Sequence, residues 1–360
     1  MEYIFDDILE IKNGKNQKAV ENPYGKYPIY GCGGVMGHAD EYICDADTVI
    51  IGRKGSINKP IFVKEPFWNV DTAFGLQAKR ELLEPLYLYY FCVNFDFEKL
   101  NKTVTIPSLT KSDLLKISID LPDITAQKSI IDRLAAIEMV IEQRKTEIEM
   151  LDDLIKARFV EMFGDMRMNP NGWEQTSLGK VCDVRDGTHD SPKYYMEGYP
   201  LVTSKNVTSG KIDYSDCSLI CEEDYKKINQ RSKVDYGDIL MPMIGTVGNP
   251  VIVDVEPRFA IKNVALIKFC ENSSVLNTFI KALLESDYFD RVVISKVRGG
   301  TQKFISLGNI RELQLLIPPM NLQCEFQSFV EQVDKSKVAV HKALDETKLL
   351  FDSLMQEYFG

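Results

Sequence analysis

The chain repeats itself once, over a period far longer than that of any solenoid. Around Leu121-Pro122-Asp123-Ile124-Thr125-Ala126-Gln127 an apolar run ends in proline and a helical pattern begins. Ile317-Pro318-Pro319-Met320-Asn321-Leu322-Gln323 does the same 196 positions later. The offset holds downstream to Phe163-Gly164 and Phe359-Gly360. Upstream it drifts, as insertions in loops make it do. Ser108-Leu109 pairs with Ser306-Leu307, and Gly55-Ser56-Ile57 and Pro60 pair with Gly245-Thr246-Val247 and Pro250. Asp47 matches Asp238, and Tyr27-Pro28-Ile29 matches Tyr199-Pro200-Leu201. The common order of these matches identifies two copies of one unit, each a globular part followed by a long helix.

The helices carry a heptad seam. In the first, Ile130, Leu134, Ile137, Ile141, Ile148, Leu151, Ile155 and Met162 alternate steps of four and three, with Arg144 and Arg158 in the gaps. In the second, Phe326, Val330, Val333, Val340, Leu344, Phe351, Leu354 and Tyr358 keep the same register, with breaks at Lys337 and Thr347. An isolated helix would leave such a seam in water, so it requires a partner. The nearest is the other helix of the same chain; the alternatives are the helix's own globular part or the same helix of a second copy. Because each helix follows its own globular part, the expected pairing is antiparallel, with pseudo-twofold symmetry.

The globular parts are punctuated by Gly, Pro, Asn and Asp between short β-like runs. Examples are Thr48–Ile51, Ile61–Val63, Val251–Val253 and Ala265–Ile267, with helical stretches at Leu82–Phe95 and Val275–Ser286. The expected fold class is α+β: two mixed, strand-rich domains joined by two long antiparallel coiled-coil helices. The expected division is 1–121, helix 122–164, then 165–317 with a linker at 165–172, and helix 318–360.

Enzyme chemistry finds little support. The eight cysteines are scattered without a Cys-x-x-Cys pair, and with three histidines no zinc or Ser/His/Asp constellation forms. Gly31–Gly37 lacks the βαβ setting of a dinucleotide loop. Asn22-Pro23-Tyr24 lacks the second proline and apolar strand of an adenine-methyltransferase motif. No catalytic, metal-binding or cofactor-binding residue is therefore expected. No apolar run is long enough to span a bilayer and the N-terminus is acidic, so a cytoplasmic protein without membrane contact is expected.

Two strand-rich domains, each followed by a helix that starts after proline, resemble the specificity subunits of type I restriction-modification enzymes over the whole chain. Local segments carry the likeness further. Asp186-Gly187-Thr188-His189-Asp190-Ser191-Pro192-Lys193 is similar to the Gly-Thr-His…Pro stretch near the start of many target-recognition domains. Gly299-Gly300-Thr301-Gln302-Lys303-Phe304-Ile305-Ser306-Leu307 is similar to the segment before their last strand. The first half departs here, with Thr103-Val104-Thr105-Ile106-Pro107-Ser108-Leu109 in its place. The resemblance implies a non-catalytic subunit in which each globular domain reads half of a split target in double-stranded DNA. It also implies that the helix pair sets the spacer and docks two methyltransferase subunits, and that restriction and translocase subunits join the assembly. The S-adenosylmethionine cofactor would then sit on the methyltransferase partners.

Base edges are read by paired hydrogen bonds from Arg, Lys, Asn and Gln, and phosphates by Lys, Arg, Ser, Thr and backbone amides. Polar loops with glycine are therefore the candidates. In the first half these are Lys15-Asn16, Arg53-Lys54-Gly55-Ser56 and Lys102, together with Gly31–His38. In the second half they are Thr188-His189, Lys193-Tyr194, Lys205-Asn206, Lys262, and the run Lys296-Val297-Arg298-Gly299-Gly300-Thr301-Gln302-Lys303. That last run is the foremost candidate, with three cations and an amide beside two glycines. The net charge of -10 argues against DNA unless cations cluster on one surface or a partner supplies the positive field. Two rival readings are a small DNA-modifying enzyme, which must bind S-adenosylmethionine itself, and a coiled-coil scaffold, which binds no DNA.

Overall fold

The computed structural model describes residues 1–103, 105–207, 210–245, 247–296 and 304–360, with the backbone alone at 296. Two compact units emerge: residues 1–145 with 341–360, and residues 146–340. Unit 1 holds strands β1 (Glu2–Ile4), β2 (Leu9–Asn13), β3 (Tyr27–Gly31), β4 (Gly34–Ala39), β5 (Thr48–Gly52), β6 (Ile61–Val63), β7 (Trp68–Asn69), β8 (Ala73–Ala78) and β9 (Ser118–Asp120). Its helices are α1 (Phe5–Ile8), α2 (Pro85–Asn94), α3 (Lys111–Leu114) and the first part of α4 (Ile124–Phe163). Unit 2 holds β10 (Glu174–Ser177), β11 (Asp183–Asp186), β12 (Tyr199–Thr203), β13 (Ser218–Ile220), β14 (Ile239–Pro242), β15 (Val251–Ile252), β16 (Ala260–Lys262), β17 (Val264–Lys268) and β18 (Gln314–Ile317). Its helices are α5 (Leu178–Val181), α6 (Glu222–Ser232), α7 (Asn277–Leu284), α8 (Asp287–Val292), α9 (Leu307–Arg311) and the first part of α10 (Met320–Phe359).

The repeat read from sequence is a repeat of topology. Unit 1 has sheets β2-β8-β5-β6, β4-β3-β7 and β1-β9, and unit 2 has β11-β17-β14-β15, β13-β12-β16 and β10-β18. Both central sheets are covered on two faces, which explains their continuous apolar runs. In β5, Val49 and Ile51 enter one core and Ile50 another. In β17, Ala265 and Ile267 face one core, and Val264 and Leu266 face a second. Helix α6 has no counterpart among the described residues of unit 1.

One upstream pairing from the sequence needs correction. Leu109 N donates to the Arg53 carbonyl (2.9 Å), as Ile305 N does to the Met243 carbonyl (2.9 Å). Thr110 then caps α3 and Ser306 caps α9. Leu109 thus matches Ile305 and Thr110 matches Ser306, so the 196-residue offset extends this far. The serine–leucine match misled by two positions because one copy caps its helix with Thr and the other with Ser.

Two buried glutamines tie the helix starts to their domains. Gln127 Oε1 accepts from Glu84 N (2.9 Å), and its Nε2 donates to the Leu82 and Pro122 carbonyls. Gln323 repeats this with Leu276 N (2.8 Å) and the Ser274 and Pro318 carbonyls. The Gln127 bonds hold the chain at Leu82–Glu84 outside the helix, so α2 begins at Pro85 rather than Leu82.

Every seam position expected from the heptads is buried or half-buried. In unit 1, Leu134 packs with Tyr90 and Met355, flanked by Ile130, Phe351 and Leu354. Arg133 donates to the Tyr358 hydroxyl (3.2 Å). In unit 2, Lys337 pairs with Asp152 (2.6 Å) and Arg158 with Glu325 (2.9 Å). Numbering rises along one helix as it falls along the other, so the pairing is antiparallel. Phe163 anchors this end of α4, with ring centroids 5.0 Å from Phe279 and 5.4 Å from Phe326. No described helix is long and apolar enough to cross a membrane.

Candidate nucleic-acid interface

In each unit, backbone hydrogen bonds gather the candidate loops at one end of the central sheet. In unit 1, Gly14 N donates to the Ala73 carbonyl and Lys15 N to the Asn69 carbonyl. Arg53 N and Lys54 N both donate to the Thr72 carbonyl, and Gly55 N to the Pro107 carbonyl. Thus Lys15, the Arg53–Ser56 loop and the 107–109 segment meet around residues 69–73. A side chain at Gly14 would place its Cβ 1.7 Å from the Val70 carbonyl oxygen, so only glycine lets these strands approach. Lys15, Arg53, Lys54 and Ser56 are exposed. Arg53 also lies over the Phe74 ring, 5.7 Å from its centroid. Asn16 accepts from Lys18 N (3.0 Å), which closes a turn. Lys102 binds both oxygens of Asp113 at 2.9 Å.

Unit 2 builds the same end with different side chains. Gly187 N donates to the Val264 carbonyl and Thr188 N to the Ile261 carbonyl. Lys15-Asn16 and Thr188-His189 therefore occupy equivalent places, although no shared residue type marks their pairing. A Cβ at Gly187 would lie 2.3 Å from the Ile261 oxygen. Thr188 forms a parallel bridge with Lys262, whose ammonium donates to Ser191 Oγ (2.6 Å). Lys193 stands over the Tyr195 ring at 5.6 Å, beside Tyr194, which is half exposed. Lys205 pairs with Asp216 at 2.8 Å.

Asn206 does not reach the surface. It is 3% exposed. Its Oδ1 accepts from Thr203 N and Oγ1, and its Nδ2 donates to the Asp213 carbonyl. These bonds consume the amide in closing a turn, so it is removed from the candidate contacts. Lys296 ends a short 3-10 turn, while Arg298, Thr301, Gln302 and Lys303 lie outside the described residues. The chain returns at Phe304-Ile305 beside Met243-Ile244, on the same sheet end.

A charged group missed by the sequence reading lies here. Asp186, 5% exposed, closes β11. Its Oδ2 meets His189 Nε2 at 2.8 Å, and its Oδ1 meets the Arg231 guanidinium from α6. His189 Nδ1 lies 2.8 Å from Asn263 Oδ1. Hydrogen bonds to Asn263 and then Asp186 raise the His189 pKa above its ordinary 6.5, against opposition from burial and the nearby Arg231. The Asp186-Gly187-Thr188-His189 run was a signal for this cluster, but Arg231 sits on a polar helix that reads as ordinary solvated surface.

Comparison with known proteins places the arrangement. The family described as "Type I restriction modification DNA specificity domain" matches residues 2–150 and 170–347. The MjaVIII type I restriction enzyme specificity subunit of Methanocaldococcus jannaschii is 24% identical over 331 residues, covering 84% of this chain and 77% of that one. The EcoBI specificity subunit of Escherichia coli is 19% identical over 350 residues, covering 87% and 73%. Among solved structures, the type I restriction-modification S subunit from M. genitalium aligns with a TM-score of 0.58 at 18% identity, covering 100% of this chain and 96% of that one. A chain from structural work on complex assembly and conformational transition of the type I R-M system aligns at 0.61 with 17% identity, covering 100% and 97%.

Proposed function

The chain belongs to the type I restriction-modification DNA specificity family, and on that premise we propose that each of its two globular domains reads one half of a bipartite DNA target. The assigned domains are residues 1–121 and 165–317, and the helices at 122–164 and 318–360 set the spacer. The observation that carries this reading is the duplicated sheet end: equivalent backbone bonds present Lys15, Arg53 and Lys54 in one unit and Thr188, His189 and Lys262 in the other. The same frame with different side chains suits two different half-sites. Glycines let the backbone close up, and exposed cations and hydroxyls supply the groups that hold phosphates and read base edges.

The chain acts as a non-catalytic cytoplasmic subunit, with S-adenosylmethionine bound by two methyltransferase partners and with restriction and translocase subunits added to them. Leu154 and Leu350 support a pair of docking sites. They hold equivalent positions, 196 apart, on α4 and α10, and are 46% and 52% exposed. Met150, one turn before Leu154, and Leu349, next to Leu350, are 66% and 69% exposed, so each leucine belongs to a cluster of apolar surface of the kind that marks an interaction site.

The test is methylation-site mapping by long-read sequencing in a host that expresses this chain with its methyltransferase subunit. A split adenine-methylated motif that appears only when this chain is present is the expected result. An assembled complex that methylates no new motif would overturn the reading in favour of a scaffold.

A further inference from the structure

In unit 2, one buried carboxylate serves two cations from different elements. Asp186 is fixed at the end of β11, next to the sterically required Gly187. One oxygen meets His189 from the following loop, and the other meets Arg231 from α6. A desolvated carboxylate is tolerated only when its charge is compensated. Here the compensation exceeds one charge when the imidazole is protonated, leaving a surplus positive charge on a rigid frame. The carboxylate is 7% exposed, while the His189 and Arg231 side chains are 62% and 67% exposed. Both cations are thus anchored from inside and presented outward, and Arg231 lines a cleft of about 250 Å³ together with Thr188, Ser191 and Lys227. Two acids, Asp190 and Asp224, also line that cleft.

Unit 1 lacks this device. Gly14 and Gly187 make equivalent bonds, so Asn13 stands where Asp186 does and Asn16 where His189 does. Asn13 carries no charge, Asn16 caps its own turn, and among the described residues of unit 1 nothing equivalent to α6 supplies an arginine.

We propose that His189 and Arg231 form a DNA-phosphate anchor private to the second recognition domain, with Asp186 as the positioning residue that holds both cations in place. This rests on the DNA-reading function proposed above. A fork of two fixed cations needs little ordering when it meets a phosphate, which is the advantage of preorganised charge. The groups facing His189 are Asp186 on β11, Arg231 on α6, Asn263 in the β16–β17 turn with the adjacent Lys262, and Asp190 in its own loop. Because Asp186 and Asn263 both offer oxygens to the ring, the charged form is the one held. The anchor is therefore complete at low pH and loses one cation as pH rises through the raised His189 value.

The experiment measures DNA affinity of the complex assembled with its methyltransferase subunits, as a function of salt, at a pH below and a pH above the His189 titration. Arg231→Gln is expected to weaken binding about tenfold and to lower the slope of log affinity against log salt by about one. The wild-type slope falls by about one between the two pH values, and that of His189→Gln does not change. At the lower pH, where His189 stays charged, Asp186→Asn makes the surface one charge more positive, so a general field effect predicts tighter binding, whereas lost positioning predicts weaker binding. The outer two variants sit on the surface, and thermal unfolding confirms their folding if Asp186→Asn misfolds. Unchanged slopes and affinities in Arg231→Gln and His189→Gln, with specific binding by the wild type, would overturn the anchor alone. No specific binding by the wild-type complex at either pH would overturn the DNA-reading function with it.

Discussion

Replacing Gln323 by alanine should loosen unit 2 far more than a polar-to-small change usually does. Gln323 is 0% exposed, and its amide satisfies Leu276 N and the Ser274 and Pro318 carbonyls. Each bond is worth about 1 kcal/mol, and a buried group left unpaired costs about 1–3 kcal/mol. Carbonyls with a second lone pair suffer less than the stranded Leu276 N–H, so the sum is about 3–5 kcal/mol. With a urea dependence of about 3 kcal/mol per molar, the midpoint of unit 2 falls by about 1 M or more. The chain has two tryptophans, one per unit: Trp68 in unit 1 and Trp173 in unit 2. In a Trp68→Phe background, fluorescence therefore follows unit 2 alone. Gln127→Ala in a Trp173→Phe background should lower the midpoint of unit 1 comparably. Gln323→Glu should cost more than alanine near neutral pH, because a buried carboxylate faces two carbonyls with no proton to give. A midpoint shift under about 0.3 M for Gln323→Ala, equivalent to less than about 1 kcal/mol, would show that the amide does not hold unit 2 to its helix.

Two further outcomes follow from the helices and the unit 1 loops. Leu134→Ala, at a fully buried seam position, should cost about 2–5 kcal/mol in urea unfolding. By contrast, Leu154→Ser and Leu350→Ser should change stability by no more than about 0.5 kcal/mol while weakening capture of the methyltransferase subunits in a pull-down. Arg53→Gln with Lys54→Gln should reduce the salt slope of DNA binding by about two, since each exposed cation that meets a phosphate contributes nearly one.

The helices were the most legible part of the chain. A four-three alternation over forty residues specifies a long helix with one buried face, and all its seam positions are buried or half-buried. The strands of the central sheets were legible as apolar runs, but not which runs pair, because pairing depends on contacts distant in sequence. The equivalence of Lys15-Asn16 with Thr188-His189 is of this kind: it rests on backbone bonds to residues around 69–73 and 261–264. Asn206 reads from sequence as a base-contacting amide among polar neighbours, but a buried turn uses that amide fully, which composition does not reveal. Arg231 was missed for the opposite reason. On a polar helix it reads as solvent-facing, and only the fold brings it to a carboxylate 45 residues away.

The most direct test of the central claim is to map the methylated motif of a chimera whose residues 1–121 are replaced by the corresponding segment of a family relative with a different target. One half of the bipartite motif is expected to change while the other half and the spacing stay as they were. A motif that changes in both halves, or in neither, would contradict the assignment of one half-site to each domain.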